Sequence, residues 1–295
     1  MCSLTIFTPT YNRGYILGRL KDSLCRQDNF DFEWLIIDDG STDNTQELVA
    51  NWQKETLPFT IRYCYTKNGG KPRAINMACH LAQSKWLFIV DSDDYLADEI
   101  IGFICNKLYS LPNDPTIIGL GGLRGTDANN PWRSVPFSDY VIASNTERPN
   151  YNLDIDCNEV YSIEILKQFP FFVWPGENFI PEEVVLNELA IHGYKLIWYN
   201  KVFVISHYLD DGLTKGAWDL LKKNPMGYAM LYNHKLKYQK NISSMIYNTI
   251  QFIAFLFIAN NISYIKHCNI KWLAYICLPL GYLLSIRRAK QFKSE

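Results

Sequence analysis

The stretch Lys85-Trp86-Leu87-Phe88-Ile89-Val90-Asp91-Ser92-Asp93-Asp94 decides the fold. A short apolar run ends abruptly in carboxylates, with no polar residue alternating inside it. Such a run reads as a strand covered on both faces, the form found in parallel sheets. Reading outward, residues 3–8, 33–37, 60–65 and 116–120 have a similar strand-like form. Between them, residues 16–26, 45–52, 73–82 and 99–111 read as helices, with Asp43 placed to cap the second. Strand and helix at this cadence predict an α/β protein with a Rossmann-like, mainly parallel sheet flanked by helices. Farther on, residues 126–160 read as loop-rich and 181–192 as a helix. Residues 195–206 read as two short strands around Asn200-Lys201.

Composition fits this class. Of 295 residues, 48% are hydrophobic and 20% charged, which suits a large core and excludes a disordered or collagen-like chain. The net charge of −1 speaks against a dedicated nucleic-acid binder. It hides a split, because residues 1–200 carry 16 Lys+Arg against 26 Asp+Glu and residues 201–295 carry 13 against 4. None of the eight cysteines forms a C-x-x-C pair, so a zinc or redox site is not expected. No signal-peptide pattern precedes the first strand, and a reduced, cytoplasmic setting is expected.

In parallel sheets ligands bind beyond the carboxyl ends of the strands. Those ends here read Thr8-Pro9-Thr10-Tyr11-Asn12-Arg13, Asp38-Asp39-Gly40-Ser41 and Asp91-Ser92-Asp93-Asp94. Turns favour Asp and Asn for local reasons. So many acids on one rim, however, repel one another unless a cation is present. Two carboxylates two residues apart can approach one Mg²⁺ or Mn²⁺, which keeps waters and takes substrate phosphates as further ligands. A P-loop would need a second glycine and a Ser/Thr that Asn68-Gly69-Gly70-Lys71-Pro72 lacks. A phosphoaspartyl hydrolase would use Asp91 as nucleophile, but Tyr95 stands where its usual hydroxyl residue is expected.

These four elements, with Ala74-Ile75-Asn76-Met77-Ala78 after Lys71, together resemble the family 2 glycosyltransferases of the GT-A fold over roughly residues 3–100. The resemblance implies inverting transfer of a sugar from a nucleotide-diphosphate donor, typically a UDP-sugar, with Mg²⁺ or Mn²⁺ as cofactor. By position it implies that Asp39 reads the nucleotide base and that Thr8, Pro9 and Tyr11 line the base and ribose slot. Lys71 would meet the diphosphate, Asp91 ribose and metal, and Asp93 the metal. An inverting transfer also needs a general base for the acceptor hydroxyl. The acid pair Glu182-Glu183, after Pro181, fits that place, with Glu183 favoured and Glu182 the alternate. Two acids opening a helix are also ordinary dipole chemistry. Trp174-Pro175-Gly176-Glu177 would shape the acceptor pocket, His207 would serve as a late metal or diphosphate ligand, and the following loop to Thr214 would cover the donor.

On this reading residues 1–215 form the catalytic domain, with a nucleotide-sugar half at 1–115 and an acceptor half at 116–215. Residues 216–295 form a helical, basic, membrane-associating extension. Two apolar segments there, 241–265 and 272–286, are marginal as spanning helices, because polar residues or Pro279 and Gly281 interrupt them. Helices lying on an anionic membrane surface, or packing in a homodimer, are the two readings. The expected partners are therefore a nucleotide-sugar donor, a saccharide or polyprenol-linked acceptor and a membrane surface, with a peripheral site on the inner face of the cytoplasmic membrane. The expected pathway is surface polysaccharide synthesis. A nucleotidyltransferase on a similar frame would need a Gly-rich basic loop after strand one, which is missing. A catalytically inactive, glycosyltransferase-like scaffold is the non-enzyme competitor.

Overall fold

The computed structural model of the chain describes residues 4–207 and 217–294. The N-terminal part alternates β1 (Leu4–Thr10), α1 (Gly18–Cys25), β2 (Phe32–Asp38), α2 (Thr45–Trp52), β3 (Thr60–Tyr65), α3 (Lys71–Leu81) and β4 (Trp86–Ile89). It continues through β5 (Tyr95–Leu96), α4 (Ile100–Tyr109), β6 (Ile117–Asp127), β7 (Asn130–Pro131), β8 (Tyr140–Ala143), β9 (Cys157–Ser162), α5 (Ile163–Leu166), α6 (Glu183–Ile191) and β10 (Lys195–Ile205). Four helices follow: α7 (Ala217–Lys223), α8 (Pro225–Lys235), α9 (Ile242–Ile258) and α10 (Lys271–Ser294).

The strands form one sheet in the order β3-β2-β1-β4-β9-β6-β10-β5, with β7 on β6 and β8 on β10. The first four strands are mutually parallel, as the alternation predicts. All seven residues of β2 are buried, because helices cover both faces of a βαβ sheet. The register sets Asp38 opposite Thr10 and Tyr65, and Phe7 opposite Ile89. The polar ends of β1, β2 and β4 thereby reach one rim. Beyond β4 the sheet is mixed: β9 runs antiparallel to both β4 and β6, while β10 runs parallel to β6.

This second half is richer in strands than the sequence suggests. β6 reaches Asp127, and β8 and β9 form within a stretch read as loop. β10 is one strand, and Asn200-Lys201 sits at a register irregularity against β6, between Trp198 and Val202, not at a turn. Gly121 and Gly122 of β6 are needed for packing. A Cβ would come within 2.2 Å of the Trp198 ring at Gly121 and within 2.2 Å of the Phe203 ring at Gly122.

The chain divides into two compact units, Met1–Pro170 with Asn187–Tyr208, and Phe171–Leu186 with Leu209–Glu295. The boundary falls inside α6. The core of the second unit gathers Met226, Ala229, Phe252, Phe255, Leu256, Leu273, Ala274 and Cys277 from α8, α9 and α10. Asn241 caps α9, its Oδ1 accepting from Ser243 N at 2.9 Å and Ser244 N at 3.3 Å. The polar residues Asn248 and Gln251 of α9 point into this unit, not outward. Asn248 donates to Gln239, and Arg288 donates to Gln251 while lying over the Phe255 ring at 4.3 Å. No helix among the described residues is long and apolar enough to cross a membrane.

Candidate active site

The rim is built by loops that hold one another. After β1 the chain turns through Asn12, whose backbone is left-handed at φ 53°. Its side-chain Oδ1 accepts from Thr42 N at 2.7 Å and its own N–H donates to Ser41 Oγ at 2.8 Å. Gly14 N donates to Asp43 at 3.0 Å, and Asp43 also accepts from Thr45 N, so it anchors the start of α2 much as a cap would. Asn12 and Asp43 thus stitch the loop after β1 to the loop after β2.

The two acids after β2 do different things. Asp38 is buried and accepts from Ser41 N at 2.7 Å and from Tyr63 OH at 2.6 Å. Burial, and then that bond to Asp38, raise the Tyr63 phenol. Asp39 spans the start of α3, accepting from Gly69 N and Gly70 N, each at 2.7 Å. Asn68 donates to the Asp39 carbonyl at 2.9 Å, and Gly40 holds φ 88°, open to glycine, where a Cβ would also lie 2.9 Å from Asn68 N. Burial raises the Asp39 carboxyl, against the lowering effect of the two amides. Each carboxylate oxygen carries two lone pairs, so these bonds leave Asp39 capacity for a further donor.

The carboxylates after β4 join a charge network. Lys71 Nζ lies 2.6 Å from Asp91 Oδ1. Arg124 spans two acids, with Nη2 at 3.2 Å from Asp91 Oδ2 and Nη1 at 3.0 Å from Asp94 Oδ2. Burial opposes ionisation of Asp91, but Lys71 and then Arg124 outweigh it and hold its carboxyl below the usual range. Asp94 is pushed up to about 7, first by burial and then by Asp91 and Asp93, with Arg124 opposing. Asp93 is half-buried and has no hydrogen bond or ion pair among the described residues. Arg124 Nε is buried without a hydrogen-bond partner among them. Arg124 escaped the sequence reading. The available signal was one Arg inside the apolar, glycine-rich run 117–125.

Other expected residues separate from this cluster. Thr8 is buried and its Oγ1 accepts from Trp34 Nε1 at 3.0 Å, so its side chain serves the core of the rim. Pro9 is half-buried and Tyr11 exposes its ring, as a stacking face requires. His207 Nε2 lies 3.2 Å from Tyr95 OH, with the rings stacked. No group of three or more His, Cys, Asp or Glu side chains that could hold a metal occurs among the described residues, so His207 is not gathered with Asp91 and Asp93. The loop expected to cover the donor, from Tyr208 onward, lies outside the described residues. For a divalent cation the chain offers two hard oxygen donors, Asp91 and the unpartnered Asp93. By donor chemistry they fit Mg²⁺ or Mn²⁺ as a partial ligand set, and further oxygen ligands would be needed to complete it.

In the second unit, Glu183 opens α6 and its Oε1 lies 3.1 Å from Lys235 Nζ. Glu182, just before it, is half-buried, and its carbonyl accepts from Val185 N and Leu186 N. The Trp174–Glu177 turn passes through Gly176 at φ 86° and closes with Glu177 N donating to Trp174 O. Trp174 packs edge-on against Tyr264. Glu177 is buried and accepts from Met226 N at 2.7 Å and Gly227 N at 2.8 Å, fastening the loop to the start of α8. Asn178 N donates to Asn224 at 2.9 Å beside it. Glu177 thus clamps this loop to the head of α8.

In open α/β sheets ligands bind beyond the carboxyl ends of the strands, where these strand-end acids and Lys71 lie. A family model for glycosyl transferase family 2 matches residues 5–169, more than half of the chain, and the chain belongs to that family. The poly(ribitol-phosphate) β-N-acetylglucosaminyltransferase TarS of Staphylococcus aureus is 29% identical over 127 residues, covering 42% of this chain and 22% of TarS. The matched segment is thus well under two thirds of that relative. Among solved structures, S. aureus TarS 1-349 in complex with UDP-GlcNAc gives a TM-score of 0.57 at 15% identity, covering 98% of this chain and 92% of that one. The mannosyltransferase PcManGT of Pyrobaculum calidifontis, in complex with GDP-Man and Mn²⁺, gives 0.56 at 17% identity over 99% and 82%. Both likenesses establish the GT-A-like mixed α/β fold with flanking helices.

Proposed function

We propose that the chain is an inverting glycosyltransferase that moves a sugar from a nucleotide-diphosphate donor, a UDP-sugar, to a saccharide or lipid-linked saccharide of a surface polysaccharide. The observation that carries this reading is the Lys71–Asp91–Arg124–Asp94 network with the unpartnered Asp93, at strand ends that a family model covers. TarS, crystallised with UDP-GlcNAc, supports the uridine donor and the polymer acceptor.

Asp39 accepts an N–H of the base, Pro9 and Tyr11 line the base and ribose slot, and Lys71 supplies positive charge beside the diphosphate. Asp91 and Asp93 would hold Mg²⁺ or Mn²⁺, which when bound neutralises the leaving diphosphate. Glu183, with Glu182 as alternate, takes the proton of the acceptor hydroxyl. The acceptor oxygen forms a bond to the anomeric carbon as the carbon–phosphate oxygen bond breaks, with inversion, and the nucleoside diphosphate departs. The basic helical unit attaches the enzyme peripherally to the inner face of the cytoplasmic membrane, where a lipid-linked acceptor is found.

A thermal-shift panel of nucleotide sugars, with and without Mn²⁺, tests the donor. UDP-sugars should stabilise the protein, and Asp93→Asn should abolish the Mn²⁺-dependent part; no shift with any UDP-sugar overturns the donor reading. Glu183→Gln should keep that shift and lose transfer by at least about 10²-fold. Retained transfer would move the base to Glu182.

A further inference from the structure

Helix α10 is apolar on two opposite sides. One side packs inward, with Leu273, Ala274 and Cys277 buried in the core of the second unit. Gly281 lies so close to α9 that a Cβ would meet Ile253 Cγ2 at 2.4 Å. The other side carries Trp272, Tyr275, Ile276, Leu280, Leu283 and Ile286, all exposed, with Trp272 at 62%, Ile276 at 67% and Leu283 at 62%. At 100° per residue these six fall within one arc of about 140°, opposite the buried residues. From Trp272 to Ile286 the face runs about 21 Å at 1.5 Å per residue, short of the roughly 30 Å of a bilayer core.

An exposed apolar face of this size marks a binding surface. Its charge decides the occupant. Arg287 and Lys290 are exposed at one end of the face and Lys271 at the other. Across residues 222–294 the chain has 11 Lys+Arg and no Asp or Glu. A second copy would bring a basic face onto a basic face in either helix orientation, with no acid between residues 222 and 294 to relieve it. An anionic bilayer offers the complement, headgroups for the basic ends and acyl chains for the apolar arc, with the helix in the plane of the surface.

We infer that the outer face of α10 is the membrane-docking surface of this protein and that it binds anionic phospholipid, lying flat. The inference deepens the membrane attachment proposed above. It assigns that attachment to α10 and not to the polar side of α9, which the core already uses.

The test is co-sedimentation of the full chain with vesicles of phosphatidylcholine alone and of equal parts phosphatidylcholine and phosphatidylglycerol. Binding should need phosphatidylglycerol and fall at high salt. The double variant Ile276→Glu/Leu283→Glu and the charge reversal Arg287→Glu/Lys290→Glu should each weaken it by at least about tenfold. The second variant alters only exposed charge, so loss of folding cannot imitate its effect. With brominated lipid, quenching of tryptophan fluorescence should shrink in Trp272→Phe. Equal sedimentation of parent and both variants would overturn the assignment, as would parent protein left in solution. So would a dimer, seen by ultracentrifugation, that Ile276→Glu/Leu283→Glu dissolves. Donor-induced thermal shift, measured without vesicles, reports separately on the glycosyltransferase reading.

Discussion

Each unit of the molecule contains one buried carboxylate that fastens a loop to the start of a helix. In the first, Asp39 accepts from Gly69 and Gly70 at the head of α3. In the second, Glu177 accepts from Met226 and Gly227 at the head of α8. Asp39 satisfies the N-cap amide and the one before it, Glu177 two first-turn amides, and both place negative charge at the positive end of a helix dipole. The surroundings differ. Asp39 sits on a rim with the charges of Asp38 and Arg73 acting on it and keeps acceptor capacity. Glu177 sits against Gly227, where a Cβ would come within 2.4 Å of Phe179 O. The same clasp stands among strand-end acids in one place and against a helical core in the other.

The comparison is sharpest under mutation. Glu177→Ala leaves two buried amides unsatisfied and should cost about 3 kcal/mol of stability in urea unfolding. It should leave donor affinity unchanged, and a loss of donor affinity would erase the distinction. Asp39→Asn keeps the size but swaps one acceptor for a donor facing an amide. It should cost about 2 kcal/mol and also abolish the UDP-dependent thermal shift.

A smaller effect comes from pH. Burial raises both clasp carboxyls, and raises Asp94 to about 7. A folded state that binds protons more tightly than the unfolded chain loses stability as pH rises between the two values. For Asp94 that window runs from the ordinary 3.8 up to about 7. Asp94→Asn should therefore flatten the decline of stability across it, measured by thermal unfolding in EDTA. An unchanged slope would assign the decline to Asp39 and Glu177.

The legible part of the molecule is the part where one residue type has one use. Buried strands read as unbroken apolar runs, and their ends read as clusters of Asp, Asn and Gly. β1, β2, β4 and the acids 38, 39, 91 and 93 followed directly. β6 followed only in its first residues, up to 120, because glycine lowers strand propensity and its glycines at 121 and 122 make sense only against rings on β10. Arg124 stayed hidden for the same reason. Neither clasp was visible, since both acids bind backbone amides, which have no signature in sequence, and those of Glu177 lie about 50 residues away. In the sequence, Asn248 and Gln251 of α9 read only as interruptions of an apolar segment. They turn inward because Gln239 and Arg288 supply partners from elsewhere in the chain.

Trp198 and Phe203 occupy the space that side chains at positions 121 and 122 would otherwise fill. Volume there is a shared quantity divided between two strands far apart in the chain. A methyl group gained on β6 has to be surrendered by a ring on β10. The two pairs can therefore drift over evolutionary time only in step, as coupled changes of size.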